Sequence, residues 1–172
     1  MDEKEVIELL RHYRHDHLND LQLVMGYLQL GKQDKAEAKI NDIIEKANNE
    51  RQLDRLQIPK TMLWIYTKNW FSENMSLEYR MDIDDQSAML SDELLKQQLE
   101  RIFAELSAYQ KEFQHYQTML VFHTDQQMEL TVEGEWTDLE ALINQLKSHN
   151  FLDAVQVKED KQLQIIWTEY ME

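Results

Sequence analysis

The 172-residue sequence has no cysteine, one proline and only three glycines. The missing cysteine excludes a disulfide framework, a thiol nucleophile and any cysteine-based metal site. Gly26, Gly31 and Gly134 are too few and too scattered to build a Gly-rich phosphate cradle. The same scarcity of turn formers points to long regular elements with short connections. No segment approaches the roughly 20 uninterrupted apolar residues that span a bilayer. The start, Met1-Asp2-Glu3-Lys4-Glu5, has no basic region leading into an apolar one, so no signal peptide is expected. Positive charge is also short: 18 Lys and Arg against 33 Asp and Glu leave a net charge of −15. That field repels phosphate backbones and anionic lipid, so neither nucleic acid nor a membrane is expected as a partner. Hydrophobic content of 42% still supplies a core for one domain or two small ones, and the cytoplasm is the expected location.

What the chain does have is helical periodicity. From Val6 to about Leu30, the residues Val6, Leu10, Tyr13, His17, Leu21, Val24 and Leu28 step by threes and fours, a coiled-coil-like seam. Ile7, Leu18 and Met25 widen it into the stripe of a bundle helix. Gly26 is a lone interior glycine that permits close helix approach, and Gly31 reads as the helix stop. A second helix is predicted from about Asp34 to Arg55, with Ala36, Ile40, Ile43, Ile44 and Ala47 on one face. The short link makes the two helices antiparallel neighbours. Their combined apolar surface exceeds what two helices cover, so two hairpins are expected to pair as a homodimeric four-helix bundle.

The remainder changes character. Pro59 opens a third helix to about Glu73, carrying Met62, Leu63, Ile65, Tyr66, Trp70 and Phe71. Leu77, Tyr79, Met81 and Ile83 alternate like a half-buried strand. A helix is predicted over Ser91–His115 with Ser91 as N-cap, followed by strands over Thr118–His123 and Met128–Glu133 around a turn at Thr124–Gln127. Thr137 with Glu140 reads as the capping box of a helix to His149. A hairpin of Ala154–Lys158 and Gln162–Thr168 turns at Glu159-Asp160. The fold class is therefore α+β: a helical hairpin over residues 1–57, then an α/β domain over 58–172.

The chemistry lies in Arg11-His12-Tyr13-Arg14-His15-Asp16-His17-Leu18-Asn19-Asp20-Leu21-Gln22-Leu23. Residues three or four apart share a helix face, so His15 neighbours Arg11, His12, Leu18 and Asn19. It lies one residue off the apolar seam, fixed by the helix yet open to a docking partner. Histidine keeps a neutral fraction near pH 7 able to attack phosphorus. Asp16 is placed to orient the ring, and Arg11 to offset the charge of an attached phosphoryl group. On spacing alone, an exposed helical histidine is more often an ordinary surface residue. His15 and His17 do not share a face, and His12 with His15 gives only two ligands, so no metal site is expected. His17 falls on the seam and is expected inside the bundle.

Arg14-His15-Asp16-His17-Leu18-Asn19-Asp20-Leu21-Gln22-Leu23, continuing to Gly26-Tyr27-Leu28, resembles an Arg-His-acidic-x-x-Asn-x-Leu box with a downstream Gly. That box marks the sporulation phosphotransferase B type of histidine domain, which is also found in citrate-type sensor kinases. The stretch Ile58-Pro59 through Asn69-Trp70 to Met75-Ser76-Leu77-Glu78-Tyr79 is similar to the start of the second domain in the same family. The resemblance implies a dimer through the hairpins and a C-terminal domain shaped like a histidine-kinase ATPase domain that no longer binds nucleotide. It also implies His15 as phosphoacceptor, with Asp16 and Asn19 as its box neighbours and Arg11 in support. Arg14, Leu18 and Gln22 are the expected partner contacts.

An ATP-using kinase needs an Asn-bearing helix for magnesium and Gly-rich segments over the phosphates. Leu94 to Gln114 contains no Asn, and Gly134 is the only glycine after Gly31. The expected activity is phosphoryl transfer from an aspartate of one response regulator receiver domain to His15, and onward to another regulator. No cofactor is expected in this chain; Mg2+ would sit on the regulator. The competing readings are a non-catalytic dimeric scaffold of a two-component system, and a fragment of a sensor kinase.

Overall fold

The structure is a computed structural model. It describes residues 3–72, 74–83, 90–158 and 162–169, with backbone alone at 69–71. The expected helix end at Glu73, the side chains of Trp70 and Phe71, and the turn at Glu159-Asp160 lie outside the described residues. The chain divides into two compact units, Met1–Arg51 and Gln52–Glu172.

The first unit is built on two helices, α1 (Glu3–Gln29) and α2 (Gln33–Arg55), the second of which runs on into the next unit. The turn between them follows from Gly31. Its φ of 68° is left-handed, where glycine carries no Cβ penalty. That geometry lets the Lys32 amide donate to the Tyr27 carbonyl at 2.9 Å and the Gly31 amide to that of Leu28 at 3.0 Å. This is a Schellman ending, which satisfies carbonyls a helix terminus otherwise leaves bare. Gly26 serves no close approach within the hairpin, since a Cβ built there meets nothing within 4 Å. Of the seam on α1 only Val24 is buried, and Ala36 is buried on α2. Leu10, Tyr13, Leu21 and Leu28 stay about half exposed, as do Ile40 and Ile44.

The second unit begins inside α2. Leu53 and Leu56 are buried in its core with Ile58, just before α3 (Pro59–Phe71). Its frame is a five-stranded sheet in the order β1-β2-β3-β5-β4: β1 (Met75–Asp82), β2 (Tyr116–His123), β3 (Gln127–Glu133), β4 (Ala154–Val157) and β5 (Leu163–Thr168). Among the described strands only β1 and β2 run parallel, and the other pairs are antiparallel. One face carries the core, with Leu120 opposite Leu130 and Leu130 opposite Ile165. Helices α3, α4 (Asp92–Ala108) and α5 (Leu139–Lys147) contribute Ile65, Leu99, Ile102, Phe103, Leu142 and Leu146 to the same cluster. The opposite face mixes apolar residues such as Val121 and Ile166 with polar ones, among them a side-chain chain from Gln156 through Gln164 (2.5 Å) to Glu129 (2.5 Å). The α+β fold class expected from the sequence is what the chain adopts.

Three local expectations are corrected. α4 stops at Ala108 rather than His115 because the next carbonyl is claimed from outside the helix. The Tyr109 carbonyl accepts from the Thr137 amide at 2.9 Å and its hydroxyl at 3.0 Å, and Gln110 bridges to Trp136. Ser91 stands at the N-cap of α4, but its side chain makes no capping bond. The cap of α5 is Asp138, whose carboxylate accepts from the Ala141 amide at 2.9 Å; Thr137, the expected cap, has its hydroxyl on Tyr109.

Candidate phosphoacceptor site

The hairpin presents two different faces of α1. The apolar seam turns toward α2, where the Asp20 carboxylate takes Lys39 at 2.8 Å. Lys39 also holds Asp42 at 2.7 Å, and Lys46 reaches Asp42 at 3.3 Å. These bonds raise the Lys39 ammonium above the usual lysine range, while Lys39 lowers the Asp42 carboxyl. Nearer the helix start, Tyr13 meets Glu50, whose charge pushes the Tyr13 hydroxyl up. Sequence reading missed both cross-helix ties. Only the i,i+3 and i,i+4 spacing of Lys39, Asp42 and Lys46 carried a local signal.

His15 stands on the other side, with its side chain 70% exposed beside an Asp16 that is 66% exposed. Its Nδ1 lies 3.2 Å from Asp16 Oδ1 and 3.2 Å from Asn19 Nδ2. One nitrogen cannot serve both contacts at once, because Asn19 Nδ2 donates and the carboxylate only accepts. The two contacts therefore belong to different proton placements. With the proton on Nδ1, His15 donates to Asp16 and Nε2 carries a bare lone pair. With Nδ1 bare, it accepts from Asn19 and Nε2 holds the proton. The first arrangement gives a nucleophile at Nε2 whose ring is steadied from behind. Both of these polar contacts are made through Nδ1.

The remaining box residues are placed without being joined to the ring. Arg11 is exposed one turn earlier, and no hydrogen bond or ion pair links it to His15. Arg14, Leu18 and Gln22 are exposed around the same turns. His17, which spacing put inside a bundle, is exposed in the hairpin. Among the described residues, no group of three or more His, Cys, Asp or Glu is set to hold a metal ion. None of the described helices is long and apolar enough to cross a membrane.

Residues 1–56 match the family model "Sensor kinase SpoOB-type, alpha-helical domain". The resemblance read from the histidine box stands. The chain is also 37% identical, over 101 residues, to sporulation initiation phosphotransferase B of Bacillus subtilis (strain 168). That match takes in 58% of this chain and 52% of the relative, so the likeness spans about half the relative's length.

Proposed function

We propose that the protein is a phosphorelay histidine phosphotransferase acting in sporulation initiation, with His15 as its phosphoacceptor. The observation that carries this reading is the His15 ring itself: Nδ1 lies within reach of Asp16, which accepts its proton, and the exposed ring stands on a rigid helix with Nε2 left for attack. The matched family and the name of the relative support the same class of chemistry. In the forward step, the Nε2 lone pair attacks the phosphorus of an aspartyl phosphate on a receiver domain. The P–N bond forms as the P–O bond breaks, and the regulator's carboxylate leaves with the electron pair. Asp16 holds the Nδ1 proton and offsets the positive charge that grows on the ring. The second transfer runs the same step backward onto another regulator. Mg2+ and its acidic ligands belong to the receiver, so this chain supplies a positioned nucleophile and a docking surface.

The active form is a homodimer in the cytoplasm. Leu10, Tyr13, Leu21, Leu28, Ile40 and Ile44 are each left 42–58% exposed by one hairpin. Fully burying such a side chain is worth roughly 1.5–3 kcal/mol, and a second hairpin supplies the cover. Arg11, Arg14, Leu18 and Gln22 form the rim that meets the receiver. The protein does not act as an ATP-dependent kinase: α4 carries no Asn, and the second unit holds a single glycine.

The test is to mix the protein with a phosphorylated receiver domain and follow label. Acid-labile, base-stable label that is lost in His15→Gln and kept in His12→Ala and His17→Ala is the expected result. Label that survives His15→Gln overturns the assignment. Magnesium-dependent ATP binding at micromolar affinity by calorimetry overturns the exclusion of kinase activity.

A further inference from the structure

Among the described residues the lysines fall into two environments, and one residue stands outside both. Lys39, Lys46, Lys60, Lys96, Lys111 and Lys158 each lie against a carboxylate. Lys4, Lys32, Lys35 and Lys147 are exposed. Lys68, near the end of α3, instead has its ammonium 4.8 Å from the centroid of the Phe103 ring and 5.6 Å from that of Trp64. Those rings meet edge to face at 5.1 Å, and Phe103 is almost wholly buried on α4. No carboxylate pairs with Lys68 among the described residues. The amine is thus held half-buried against aromatic walls in a protein whose net charge is −15.

We propose that Lys68 is an acyl-acceptor site, which takes small activated acyl groups from acyl phosphates or acyl thioesters onto Nζ. Acyl transfer needs the free amine, and a lysine is readied for it by desolvation rather than by an ion pair. Burial pulls Lys68 below the usual lysine range, whereas Glu93 raises Lys60, and Asp20 and Asp42 raise Lys39. Ring faces attract the ammonium, but less than a carboxylate does, so the balance at Lys68 favours the neutral form more than at Lys39 or Lys60. In the step itself, the Nζ lone pair attacks the carbonyl carbon and a C–N bond forms. The C–O bond to phosphate, or the C–S bond to the thiol, breaks, and the leaving group departs with the electron pair. The amine's proton passes to water. The product replaces a poorly hydrated cation with a neutral amide that packs on the same two rings.

The experiment incubates the whole chain with acetyl phosphate in one arm and an acetyl thioester of a small thiol in the other. Acylation is stopped at low conversion and read lysine by lysine by mass spectrometry across a neutral-to-alkaline pH series. Lys68 should acylate several-fold faster than Lys4, Lys32, Lys35 and Lys147 in at least one arm, and the reactive arm names the donor. Its rate should level off at lower pH than theirs, and in urea the preference should vanish. Equal or slower acylation of Lys68 in both arms overturns the proposal, as does a preference that persists in urea.

Discussion

Replacing Asp16 with Asn tests how much of the proposed transfer rests on geometry rather than on chemistry at the neighbour. The substitution keeps the shape and removes the charge that faces Nδ1 at 3.2 Å. In bulk water two unit charges at that distance attract by about 1.3 kcal/mol. Both side chains are two-thirds or more exposed, so screening and side-chain freedom reduce this to about 0.2–1 kcal/mol. The full charge attraction develops only as the ring becomes cationic in the transition state, so it belongs to the rate. The expected loss is up to about fivefold. Rapid-quench transfer from a phosphorylated receiver domain to the protein measures it. Asn19→Ala, which removes the competing donor to Nδ1, should not slow transfer. An Asp16→Asn protein as inert as His15→Gln would refute the reasoning, because no exposed charge pair accounts for a loss of that size.

Other outcomes follow from single contacts. Asp92 accepts from the Lys60 and Thr61 amides at 2.9 and 2.8 Å, and so caps α3 from the start of α4; Asp92→Ala should cost about 2 kcal/mol and lower the melting temperature of the protein by several degrees. Glu169 is 3% exposed, accepts from the Ser91 amide on Oε1 and has no partner for Oε2 among the described residues, and burial pushes its carboxyl above the ordinary range. The folded state therefore holds that proton more tightly, and this group's contribution to stability falls as pH rises from the unfolded value of about 4.3 through the raised one. Glu169→Gln should flatten that slope in denaturant titrations without loss at pH 7, and a clear loss at pH 7 counts against it. Leu21→Glu, at a seam position half exposed in the hairpin, should dissociate the dimer in sedimentation while helical content is retained; an unchanged dimer rejects the seam as the interface.

The hairpin was legible because its signals are local. The seam fixes the faces of α1, Gly31 fixes the turn, and Pro59 fixes the start of α3. The same holds for the candidate site, since residues one and four positions from His15 reach its ring by helix geometry alone. Arg11, also four positions away, is not drawn in, because spacing permits a contact without requiring it. What stayed hidden is non-local. Nothing near Ala108 announces that Thr137 takes the Tyr109 carbonyl, so periodicity ran the helix on to His115. Thr137 and Asp138 are both good caps, and the choice was made by a partner 28 residues away. The cap of α3 sits on Asp92, while its own N-cap residue, Ile58, offers no side-chain bond. Alternation marked the strands but carried no trace of the parallel pairing of β1 with β2.

The separation of the two faces of α1 has a consequence for the proposed relay. A helix that carried its nucleophile in the seam would have to open the bundle in order to react. Here His15 lies off the seam, so the proposed dimer leaves it as exposed as in the single hairpin. Assembly and chemistry then share one rigid element without competing for surface. The ties from Asp20 to Lys39 and from Tyr13 to Glu50 register α1 on α2 on either side of His15. They are part-exposed polar contacts, each worth little alone. The larger stabilisation of the hairpin has to come from covering the seam, which depends on a second copy and therefore on concentration. On this reading dilution unfolds the hairpin before it disturbs the sheet unit, whose core of Leu99, Leu120, Leu130 and Ile165 is complete within one chain.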